Sequence, residues 1–154
     1  MATNLLQLFL NLGLATLMVA VTVLIHFWGL VVLVRIMGHT GRRLRAHDHA
    51  LGQAGLLIVV VFGIVGLHTV EIWLYAILYL QLGALQSLES ALYFSTVTFV
   101  ALGYGDVVLG TSWRLLSAIE AANGVILVAW STAFLIAVTA RLRALEHDWL
   151  KPRD

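Results

Sequence analysis

Three long apolar stretches separated by short polar links organise the chain. Residues 5–34, 54–80 and 113–140 each exceed the roughly 20 residues needed to cross a hydrocarbon core, and each predicts a transmembrane helix. Between the second and third stretches, residues 88–101 form a shorter apolar run, too brief to cross, which predicts a tilted half-helix. A connection over 81–90 leads into it, and a loop at 102–106 with a return over 107–112 follows it. The link at 38–53 is polar and basic, and residues 141–154 form a tail of mixed charge. The first stretch is too long for the apolar core of a signal peptide and has no basic segment before it. It is therefore read as a mature helix.

Composition supports the membrane reading. Of 154 residues, 61% are hydrophobic and 11% charged, far from a soluble domain. A net charge of +1 gives no ground for a nucleic-acid partner. The absence of cysteine excludes a disulfide framework and a thiolate metal site. The single proline, Pro152, is in the tail, so no span carries a proline kink. No span carries an arginine ladder, so a voltage-sensing helix is not expected.

Charge also sets an orientation. Arg35, Arg42, Arg43 and Arg45 place the first link in the cytoplasm, and Arg141, Arg143, Lys151 and Arg153 place the tail there. Three spans then put the N-terminus outside and the 102–106 loop on the outer side. The expected setting is the cell membrane, with the lipid bilayer as a partner.

That loop contains Gly103-Tyr104-Gly105-Asp106, after the run from Phe94 through Thr98 to Leu102. The arrangement resembles the pore loop of the tetrameric potassium channel family, whose filter reads Thr-Val-Gly-Tyr-Gly-Asp. The resemblance covers a two-helix pore domain at 54–140, with outer helix, pore helix, filter and inner helix. Residues 1–37 form an additional helix outside that pattern. It implies an all-α homotetramer with three transmembrane helices, a re-entrant pore half-helix and a filter loop per subunit. It also implies passive potassium conduction rather than enzymatic activity, with K⁺ as permeant ion and no cofactor. Carbonyls of Leu102, Gly103 and Tyr104 match the ion-lining positions. Asp106 matches the outer aspartate, Thr98 a pore-helix threonine, and Trp113 an aromatic at the outer start of the inner helix. Ala101 stands where the family has the filter threonine, and Val100 replaces the threonine before it, so the innermost hydroxyl ring is missing. The alternative is a nonselective monovalent cation channel on the same scaffold.

Further residues stand out by their chemistry. Glu71 and Glu120 lie inside spans, where ionisable groups usually face protein or water. His68 and Glu71 share a helix face and can pair. With Glu120 they are read either as filter support that tunes the filter or responds to pH, or as packing between helices and onto a tyrosine such as Tyr75. Asn123 and Gly124 are read as cavity-lining and hinge positions on the third span, with a bond across helices as the other reading of Asn123. His47-Asp48-His49 is read as a solvated stretch rather than a metal site. His26 with His68 as axial heme ligands would make a non-conducting membrane protein, the least favoured reading.

Overall fold

The computed structural model describes residues 2–43 and 50–149. Its described regular structure is helical: α1 (Ala2–Arg43), α2 (Ala50–Gln81), α3 (Leu88–Phe99) and α4 (Arg114–Trp149). Three of these contain stretches long and apolar enough to cross a membrane, Leu5–His39, Leu51–Gln81 and Arg114–Leu142.

The helices extend past their apolar spans. α1 runs to Arg43 and α2 begins at Ala50, so both reach into the link expected at 38–53, and α4 continues through residues 141–149 of the expected tail. The apolar pattern marks what lipid can cover and does not by itself set where a helix stops. Residues 141–146 (Arg-Leu-Arg-Ala-Leu-Glu) are strong helix formers with no breaker among them. His47, Asp48, His49, Arg45, Lys151 and Arg153 lie outside the described residues.

α3 has clear ends. Ser87 is extended (φ −132°, ψ 151°), and its Oγ accepts the Ser90 N–H at 3.1 Å, while Glu89 places negative charge in the first turn. At the other end, Leu102 N–H donates to Val97 O at 2.9 Å and Ala101 N–H to Thr98 O at 2.8 Å. Those paired bonds, with Ala101 at φ 55°, are the left-handed helix stop that glycine usually fills.

The chain forms two compact units, Met1–His26 with His68–Val128, and Phe27–Leu67 with Ala129–Asp154. In the first, Ala15, Tyr75, Tyr79, Phe94, Phe99, Leu109, Leu116 and Leu127 make a buried core. In the second, Leu30, Leu33, Leu56, Val60, Ile64, Val138 and Leu142 cluster. There Leu33 and Leu67 fill the space left by Gly63 and Gly29, the close approach that small residues allow between membrane helices.

Candidate functional site

The segment after α3 is non-helical from Leu102 to Gly110. From 101 to 105 its backbone alternates in the sign of φ: Ala101 at 55°, Gly103 at 57° and Gly105 at 78° are positive, while Leu102 and Tyr104 are not. Alternation of this kind turns successive peptide groups toward a common side. A Cβ added at Gly103 or Gly105 would meet nothing within 4 Å. Glycine is therefore required there by the backbone dihedral and not by crowding. Ala101 takes the same left-handed region with a Cβ, which costs about 1–2 kcal/mol. Leu102 and Tyr104 are 58% and 67% exposed, so the loop's large side chains lack cover within one chain.

The outer end of the loop is fixed by Asp106. Its Oδ2 accepts from the Tyr93 hydroxyl on α3 at 2.6 Å, and its Oδ1 accepts the Val107 N–H at 3.0 Å. The Tyr93 hydrogen bond holds the Asp106 carboxyl below the ordinary carboxylate range, and the same bond raises the Tyr93 phenol. Thr98, Ala101, Gly103, Ser117, Ala118 and Ala121 line part of a cleft of about 360 Å³ between α3, the loop and the start of α4. The Trp113 backbone N–H donates to Gly110 O at 3.0 Å, and its side chain packs on the first unit's core.

Behind the loop lie three buried polar clusters. Glu120 accepts from the Tyr79 hydroxyl, and Ser95 Oγ on α3 lies 2.6 Å from it. Glu71 has no exposed surface, and its two oxygens lie 2.9 Å from His26 Nδ1 and 2.7 Å from His68 Nδ1. The His68 ring also lies 5.6 Å from the Phe99 ring at the end of α3. Asn123 Nδ2 donates to Thr22 Oγ1 at 2.8 Å and to Tyr75 OH at 3.2 Å.

These placements correct several readings. Asn123 is 3% exposed and bonds across helices, so it does not line a cavity; its two hydroxyl partners sit on α1 and α2. Tyr75 pairs with that amide, and the tyrosine on a glutamate is Tyr79, on Glu120. Gly124 is a contact position. A Cβ there would stand 2.0 Å from Phe99 O, so glycine lets α4 touch the end of α3, and α4 runs unbroken through it. His26 and His68 do not suit axial heme ligation. Their rings stack at 5.4 Å and 29°, with both Nδ1 atoms on one carboxylate instead of pointing at each other.

The part played by α1 was missed in the sequence. Asn11 Nδ2 and Gln7 Nε2 donate to Ser112 O at 2.7 and 3.0 Å, Thr22 meets Asn123, and His26 meets Glu71. Gln7, Asn11, Thr22 and His26 are spaced by four, eleven and four residues. At 3.6 residues per turn that confines them to a stripe of about 100° on a largely apolar helix. The stripe was readable as a pattern, but its partners were not.

The sequence model of an ion channel family matches residues 54–141, which takes in most of α2, all of α3, the loop and most of α4. The chain belongs to that ion channel family. It is thus a multi-pass membrane protein with an ion channel function. No curated protein and no solved structure matches it.

Proposed function

We propose that this protein is a cation channel of the potassium type, in which four copies close a filter from residues 101–106 around a central axis. The observation that carries the reading is the alternating sign of φ through Ala101, Leu102, Gly103, Tyr104 and Gly105. Four such strands present rings of carbonyl oxygens that replace the hydration shell of a dehydrated cation. α3 acts as the re-entrant pore helix, and its C-terminal end directs partial negative charge toward the ion path. Irregular backbone at membrane depth is tolerated only when protein covers it or water lines it, and exposed Leu102 and Tyr104 supply surface for neighbouring copies. Fourfold closure meets both needs. The Tyr93–Asp106 bond braces the outer end, and Thr98 stands behind the loop. The charge pattern supports an outward-facing filter with the C-terminus in the cytoplasm.

A second reading rests on Ala101, whose methyl group supplies no ligand at the inner end. A channel with one site fewer conducts monovalent cations with weaker discrimination. Reversal potentials of the purified protein in planar bilayers, with potassium on one side and sodium on the other, separate the two. A large potential, negative on the potassium side, supports potassium selectivity, and one near zero supports the nonselective form. Absence of any conductance, with the protein shown to be inserted, refutes both.

A further inference from the structure

We propose that His26, His68 and Glu71 form a binding site for a zinc-class divalent transition-metal ion, linking the first helix to α2 behind the end of α3. The three side chains come from two helices, and one ligand atom from each lies within 4.8 Å of the others. His68 and Glu71 are an i,i+3 pair on α2, and His26 reaches across from α1. Helical bundles build metal sites in this way, from inward side chains on facing helices. Two imidazoles and a carboxylate are a common three-ligand set for zinc, with a fourth position open.

Distances and charge favour this occupant. Zinc–nitrogen bonds of about 2.0–2.1 Å in tetrahedral geometry place ligand atoms about 3.3 Å apart. The widest pair closes from at most 4.8 Å by about 1.5 Å, and the nitrogen–oxygen pairs at 2.9 and 2.7 Å open by about 0.4–0.6 Å, within reach of small side-chain rotations. Because the rings stack at 29°, both Nδ1 atoms already face one carboxylate. Buried carboxylates are paired with a charge or coordinate a metal. Among the described residues no lysine or arginine makes an ion pair with Glu71. His68 Nε2 is buried without a hydrogen-bond partner, so the ring is oriented through its Nδ1 contact with Glu71. An occupied site ties α1 to α2 beside Phe99, the residue that ends α3.

The test uses the full-length protein, stripped by chelator, equilibrated with zinc chloride and assayed for bound metal by atomic emission. One ion per chain is expected, together with a higher melting temperature. His47→Gln combined with His49→Gln, which alters the other histidine pair of the sequence, should retain that ion. His26→Gln and Glu71→Gln should each weaken binding at least about tenfold, with an unchanged elution volume showing that the variants still assemble. Cobalt-loaded wild type gives a readout independent of any variant, namely intense visible bands for a low-coordinate nitrogen–oxygen site. Zinc that is lost with His47 and His49 but kept in His26→Gln overturns the proposal. So do weak octahedral cobalt bands in the wild type, or no bound metal at all, and the triad then holds protons only.

Discussion

Replacing Gly124 with alanine sets two opposed effects against each other. In a helix interior alanine is favoured over glycine by about 0.8–1.0 kcal/mol. At this position, however, the new Cβ stands 2.0 Å from Phe99 O, 2.8 Å from its carbonyl carbon and 2.9 Å from its Cα. A carbon–oxygen contact of about 3.3 Å requires the two segments to part by about 1.3 Å. All three obstructing atoms are backbone, so no side-chain rotation relieves them. Overpacking costs about 1–3 kcal/mol, and three backbone contacts place this case at or above the upper end. The net expectation is a loss of about 2 kcal/mol, equivalent to a melting temperature lower by about 4–8 °C. Because the displaced residue is the last of α3, ion flux should fall as well. Gly13→Ala serves as control, since a Cβ there meets nothing within 4 Å and only the helix term remains. Thermal melting in detergent and flux from liposomes read both variants. Should Gly124→Ala melt at or above wild type with normal flux, the contact between α4 and α3 is not as described.

Three further substitutions probe the loop and its surroundings. Tyr93→Phe removes the hydrogen bond that lowers the Asp106 carboxyl, a contact present above the ordinary carboxylate range and lost as pH falls through the lowered value; acid inhibition of flux should therefore begin at higher pH in the variant, and identical acid profiles count against the bond. Ala101→Gly removes the left-handed penalty but adds unfolded-chain entropy, for a net gain of zero to about 1 kcal/mol, whereas β-branched Ala101→Thr should lower the melting temperature. A more stable threonine variant would show that residue 101 does not hold a positive φ. Because the chain has no cysteine, Asn123→Cys can be labelled on a clean background and should resist membrane-impermeant thiol reagents, while Val108→Cys, on the exposed part of the loop, should react. Rapid labelling at 123 would return that residue to a water-filled cavity.

Much of the architecture was legible because bilayer thickness turns apolar length directly into spans, as at 54–80 within α2. The loop was legible because Gly103 and Gly105 are the residue type that positive φ demands. Helix ends were not, since Arg141 to Glu146 favour helix whether or not lipid surrounds them. Partner choice among buried polar groups was hidden too. The i,i+3 spacing of His68 and Glu71 could be counted, but pairing Asn123 with Thr22, 101 residues away, depends on how α1 packs. Gly124 looked like a hinge because a glycine within a helix has the same letter whether it bends or admits a neighbour.

The stripe on α1 changes what counts as the smallest working piece of this protein. Residues 54–141 are the part that the family shares, yet Ser112 O, the Asn123 amide and the Glu71 carboxylate all take partners from outside it. Without Thr22 and His26 the Asn123 amide would keep only Tyr75 and the Glu71 carboxylate only His68, each losing a buried hydrogen bond made to α1, at about 1–3 kcal/mol apiece. The matched segment is therefore a unit of resemblance rather than a unit of folding. Grafts or minimised versions of this pore have to carry the first helix with them.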